Sequence, residues 1–176
     1  MFEVHDKVVY PGHGVAEITG ITEKLVAGTT TTYYELRFLN KDMMVLVPIT
    51  SSSELSPIRP LSSREKVRDA LDTLTQPARR LSSYEFAASS WNKRNKEYQN
   101  KLRAGGLREL SEIYRDLRFI EAQKELSFGE KNLLSMAETL LAEEIAHIES
   151  VDHEEARNRL RQLCLLDKKC AIQTPR

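Results

Sequence analysis

The chain has 176 residues, 26 Lys and Arg against 26 Asp and Glu, a formal net charge of zero at pH 7, and 40% hydrophobic residues. That composition excludes a wholly disordered chain, and the zero balance argues against indiscriminate nucleic-acid binding. No apolar run approaches the roughly 18 residues that span a bilayer, and the start MFEVHDKVVY lacks the basic and apolar regions of a secretory signal, so a cytoplasmic protein is expected.

The first sixty residues read as short strands, VVYPGHGVAEITGI, TTTTYYELRFL and MMVLVPI, punctuated by Pro11-Gly12, Gly28 and Asn40-Lys41-Asp42. Tyr34, Leu36 and Phe38 alternate with Glu35 and Arg37, the period-2 pattern of an antiparallel strand with one wet face. Strands this short with tight turns predict a small antiparallel β-barrel over residues 1–60. After Pro57 and Pro60 the texture changes to charged segments with apolar residues at helical spacing, so a second domain is expected over 61–166.

Ser62 with Glu65 reads as a capping box opening a helix to about Leu74, which Gln76-Pro77 ends. Ser82 with Glu85 repeats the pattern before a helix that contains Trp91 and stops at Ala104-Gly105-Gly106. A third helix is predicted from Leu107 to about Lys124, with Leu110, Ile113, Leu117 and Ile120 on one stripe. Ser127 with Glu130 opens a fourth, whose apolar face includes Leu133, Leu134, Ala137, Leu140, Leu141, Ile145 and Ile148. Asp152 with Glu155 opens a fifth, ending around Leu166, and residues 167–176 lack a stripe and read as a frayed tail. The fold class is therefore α+β in two domains, a β domain followed by a compact all-α domain of about five helices.

Charge is uneven along the chain. From Arg79 to Arg108 there are eight basic residues, Arg79, Arg80, Lys93, Arg94, Lys96, Lys101, Arg103 and Arg108, against Glu85 and Glu97. From Glu143 to Glu155 the sign reverses, with Glu143, Glu144, Glu149, Asp152, Glu154 and Glu155 and no Lys or Arg. The acidic stretch reads as a solvated face that keeps the far side of the helical domain off DNA. Trp91, the only tryptophan, sits in the basic segment. A tryptophan there can be core, or it can wedge between bases while Lys93, Arg94 and Lys96 hold phosphates. Those two readings make opposite demands on its exposure.

Catalytic signatures are missing. Tyr10-Pro11-Gly12-His13-Gly14 lacks the spacing and lysine of a phosphate loop and reads as a structural turn. Glu143 and His147 lie one helical turn apart but not in H-E-x-x-H order, so a metal-dependent module is the weaker alternative. Cys164 and Cys170 match neither a redox pair nor a zinc knuckle. No G-x-S-x-G elbow or other nucleophile–base set occurs. Neither an enzyme, a cofactor, a metal, a membrane nor a small-molecule substrate is expected.

Several segments, in order, resemble the CarD family of bacterial transcription regulators. They are Val8-Val9-Tyr10-Pro11-Gly12-His13-Gly14-Val15, Asp42-Met43-Met44-Val45-Leu46-Val47-Pro48, and Trp91 to Lys96, then Leu102-Arg103-Ala104-Gly105, Tyr114-Arg115-Asp116-Leu117 and Leu126-Ser127-Phe128-Gly129-Glu130-Lys131. The resemblance spans roughly residues 1–165. It implies a Tudor-like RNA polymerase-interacting domain that docks on the polymerase β subunit through an edge strand. It also implies a helical domain that contacts promoter DNA at the upstream edge of the melted bubble and stabilises the open complex.

By position, the resemblance makes Trp91 the minor-groove wedge, Lys93, Arg94 and Lys96 its phosphate contacts, and Lys131 a further DNA contact. Lys24 and Leu46 fall where relatives touch the polymerase, with Val45 and Val47 on the same strand. Some relatives carry arginine at both of the first two positions, so Leu46 is a departure that leaves a charge-free contact. Free DNA affinity is expected to be weak and largely independent of sequence, because polymerase tethering supplies local concentration. The resembling module also occurs in a large DNA-translocating repair factor, but no Walker motif is present here. The alternative within the same class is a polymerase-binding adaptor whose basic helix meets a protein instead of DNA.

Overall fold

A computed structural model describes residues 2–26, 28–49, 57–78 and 88–171, which fall into two compact units, Met1–Leu61 and Ser62–Arg176. The first unit is one antiparallel sheet of β1 (Lys7–Tyr10), β2 (Gly14–Val26), β3 (Thr29–Phe38), β4 (Met44–Pro48) and β5 (Arg59–Pro60), in the order β4-β3-β2-β1-β5. Gly12 takes φ +76° between β1 and β2, a conformation that glycine adopts without a Cβ clash. His13 belongs to this turn, its amide donating to the Tyr10 carbonyl at 2.9 Å and its ring 4.8 Å from that of Tyr10.

Alternation puts Tyr34, Leu36 and Phe38 into a core with Val8, Ala16, Ile18, Val47 and Ile58. The expected barrel is corrected in one respect: the sheet is open, because the described ladder never joins β4 to β5. With only two residues, β5 offers too short an edge to close against the five of β4. The β2–β3 register shifts between Ile18 and Gly20, and at that shift the Thr19 hydroxyl donates to the Glu35 carbonyl at 3.3 Å.

The second unit contains α1 (Arg64–Thr75), α2 (Ala88–Ala104), α3 (Leu107–Glu121), α4 (Phe128–Glu149) and α5 (His153–Ala171). Its core gathers Val67, Leu74, Tyr98, Ile113, Leu117 and Leu141, among others, each worth about 1.5–3 kcal/mol when fully buried. The capping box at α4 is complete: the Ser127 hydroxyl accepts from the Glu130 amide at 3.3 Å, and the Glu130 carboxylate accepts from the Ser127 amide at 2.8 Å. At α5 the Asp152 carboxylate accepts from the Glu154 amide at 2.8 Å.

Three local expectations shift. The cap of α1 is Ser63, which accepts from Lys66 N, while the Ser62 amide donates to Glu144 at 3.0 Å. The backbone of α5 stays helical through Ala171, past the expected stop near Leu166. The fourth-helix acidic pair is not solvated: Glu143 and Glu144 are each 1% exposed, because α4 packs against α1, α3 and α5 at once. The Ser82–Glu85 cap expected for α2 lies outside the described residues, as do Arg79 and Arg80.

Candidate nucleic-acid interface

Along α2 the inward stripe runs Trp91, Arg94, Tyr98 and Leu102, at i, i+3, i+7 and i+11. Tyr98 and Leu102 are buried, whereas Trp91, at the start of the stripe, is half-buried and packs on the rim of the core. Trp91 thus matches neither extreme reading: part of its ring rests on protein and part is open. The protein side is α4, where a Cβ built on Gly129 would lie 3.2 Å from Trp91 Cζ2. Phe128, the residue before it, is 81% exposed.

Arg94 requires a correction. It is 7% exposed, with Nη2 3.1 Å from Glu130 Oε1 and its guanidinium 5.9 Å from the Trp91 ring centroid, within cation–π range. A guanidinium committed in this way to a buried carboxylate is not presented to a phosphate. Burial would raise the Glu130 carboxyl, but hydrogen bonds from Ser127 and the charges of Lys124 and Arg94 outweigh it, holding the pKa below its usual value. Glu130 therefore caps α4 and anchors Arg94 with one carboxylate, a double role that the S-x-x-E pattern disclosed only in part.

Lys93 and Lys96 are exposed. At about 100° per residue they stand roughly 160° and 140° around α2 from Trp91, so they do not share its face. Lys131, in the first turn of α4, is exposed and forms an ion pair with Glu125 at 2.9 Å. The structure thus gathers Trp91, Arg94 and the Phe128–Lys131 turn, and sets Lys93 and Lys96 apart. Among the described residues no three His, Cys, Asp or Glu side chains group to hold a metal ion.

In the first unit, β4 pairs only with β3 among the described strands, leaving an outer edge whose amides and carbonyls can take another strand. Register aligns Leu46 with Glu35 and Glu35 with Gly20. Alternation carries that same face to Lys24, which pairs with Thr31. Lys24 is exposed, Leu46 is 38% exposed, and Met44 beside it is 63% exposed. Val45 is half-buried on the core, and Val47 is 2% exposed. Val47 is therefore corrected as a side-chain contact, because the pleat turns it into the sheet's core; its backbone alone remains at the edge.

Residues 2–62 match the CarD-like/TRCF RID domain, and residues 69–161 match CarD, C-terminal domain. The chain is 28% identical over 159 residues to "Putative transcription factor YdeB" of Bacillus subtilis (strain 168), covering 90% of this chain and 99% of that protein. Neither these families nor that relative is described as an enzyme, and among the described residues no helix is long and apolar enough to cross a membrane. With both domain models matched in order, over an antiparallel sheet and then a helical unit, the chain is a member of the CarD family of transcription regulators.

Proposed function

We propose that this regulator docks on the β subunit of RNA polymerase through the free edge of β4, with Lys24 and Leu46 contacting it, and touches promoter DNA through its helical unit. At the upstream edge of the bubble the Trp91 ring wedges into the minor groove, and Lys93, Lys96 and Lys131 hold backbone phosphates. Bubble collapse then requires withdrawal of the wedge, which lengthens the life of the open complex. Polymerase docking keeps the protein at the nucleoid, and no catalytic step is involved.

The observation that carries this reading is the half-buried state of Trp91, seated on Gly129 with part of its ring open. A ring held on one side and free on the other is pre-organised for insertion at little entropic cost. The placement of Lys93 and Lys96 away from the Trp91 face favours a second reading, in which that side of α2 meets another protein. The test is the lifetime of open complexes formed by the cognate polymerase with no regulator, with the wild-type protein, and with folded Trp91→Ala. A lengthened lifetime that falls by about tenfold in the variant supports the wedge. Equal lifetimes with both proteins refute it and leave the adaptor.

A further inference from the structure

Gly129 occupies the second position of α4 without the positive φ found at Gly12, Gly14, Gly28 and Gly105. Its backbone therefore does not need glycine, and alanine is the better helix former. The remaining reason is space: an added Cβ would press on Trp91 Cζ2 at 3.2 Å, inside ordinary carbon–carbon contact. One residue on, Glu130 is 1% exposed and holds Arg94, whose guanidinium stands 5.9 Å from the same ring. A buried ion pair of this kind adds little net stability over apolar packing, but it fixes where its members sit. The capping hydrogen bonds with Ser127 also hold the Glu130 carboxylate in place from within α4.

We infer that Gly129, Arg94 and Glu130 are positioning residues that set the pose of Trp91. Gly129 leaves the space for the ring, and Glu130 holds the Arg94 guanidinium beside it. The Gly129-Glu130 pair thus serves α2 as much as the helix in which it lies. The functional half of this inference rests on the wedge reading above; the structural half does not.

The test uses the full-length chain and its single tryptophan. Gly129→Ala and Gly129→Val, together with the neutral double variant Arg94→Met/Glu130→Gln, which leaves no unpaired buried ion, are checked for folding by far-ultraviolet circular dichroism. The emission maximum of Trp91 and its quenching by acrylamide are then measured, followed by open-complex lifetime. Gly129→Val and the double variant are expected to shift the emission, raise quenching, and shorten the lifetime roughly threefold to tenfold, towards that of Trp91→Ala. Unchanged emission and quenching in folded variants overturn the inference. Shifted emission with a wild-type lifetime, while Trp91→Ala shortens it, overturns the positioning role and leaves the wedge intact. No effect of Trp91→Ala on lifetime removes the wedge and the positioning role together.

Discussion

Arg94→Met removes one member of an ion pair whose side chains are 9% and 2% exposed. Breaking a buried pair costs about 3–5 kcal/mol, because the surviving charge is stranded. Here Glu130 keeps the Ser127 amide at 2.8 Å and Lys124 at 3.5 Å, so part of the compensation survives and the expected loss is about 2–3 kcal/mol. Adding Glu130→Gln, which retains a capping acceptor and removes the stranded charge, should recover at least about 1 kcal/mol of it. The pH dependence follows from the lowered Glu130 pKa, which outweighs the raising effect of burial. Stability from this carboxylate is present above the ordinary glutamate pKa and is lost as pH falls through the lower folded value. Without Arg94 the folded pKa moves back toward the ordinary value, so less stability is lost on acidification and the loss is complete at higher pH. Urea unfolding followed at 222 nm, between pH 7 and pH 3, measures both effects. A single variant within about 0.5 kcal/mol of wild type at pH 7 would refute the account of Arg94 as a buried, committed charge.

Three further outcomes are expected. Burial and the nearby Glu138 charge push the Tyr114 phenol well above its usual pKa, against the weaker pull of Arg118; it stays neutral past about pH 10, so a phenolate titration should lose one late-ionising group in folded Tyr114→Phe. Its stabilisation, present at neutral pH, is lost only as pH rises through the elevated folded value, and removing its hydroxyl, which donates to Glu138 at 3.0 Å, costs about 0.5–1.5 kcal/mol by thermal unfolding. Leu46→Asp, at a 38% exposed edge position, should leave unfolding within about 0.5 kcal/mol of wild type while weakening capture by immobilised polymerase; undiminished capture argues against docking through β4. Ser127→Ala should cost about 1 kcal/mol through loss of the α4 cap, and an unchanged denaturation midpoint would count against that cap.

Sequence alone determines what depends on a few neighbouring residues. The alternation of Tyr34, Leu36 and Phe38 assigns a strand and its buried face, Pro11-Gly12 marks a turn, and Ser127-x-x-Glu130 marks a helix start, because each signal is complete within one or two turns of chain. Even here, adjacent serines left the α1 cap one residue out, since only the geometry shows that Ser63, and not Ser62, reaches Lys66 N. Recognition of the family extended that reading to Trp91 and to the β4 edge.

Tertiary structure decided the burial of charge and the sharing of faces. Arg94 and Glu130 are 36 positions apart, and Ser62 and Glu144 are 82 apart. No local pattern discloses that these acids meet a guanidinium and an amide instead of water. A charged residue can be buried only where a distant partner compensates its desolvation, so Arg94 reads as a phosphate contact and the acidic run in α4 as a solvated face until the helices are packed. The same reasoning separates Val47 from Leu46: the two are neighbours in sequence and both apolar, but the pleat sends one into the core and leaves the other on the outer face. Whether the sheet closes likewise depends on how much edge β5 offers to β4, a property of the assembled sheet and of no single strand.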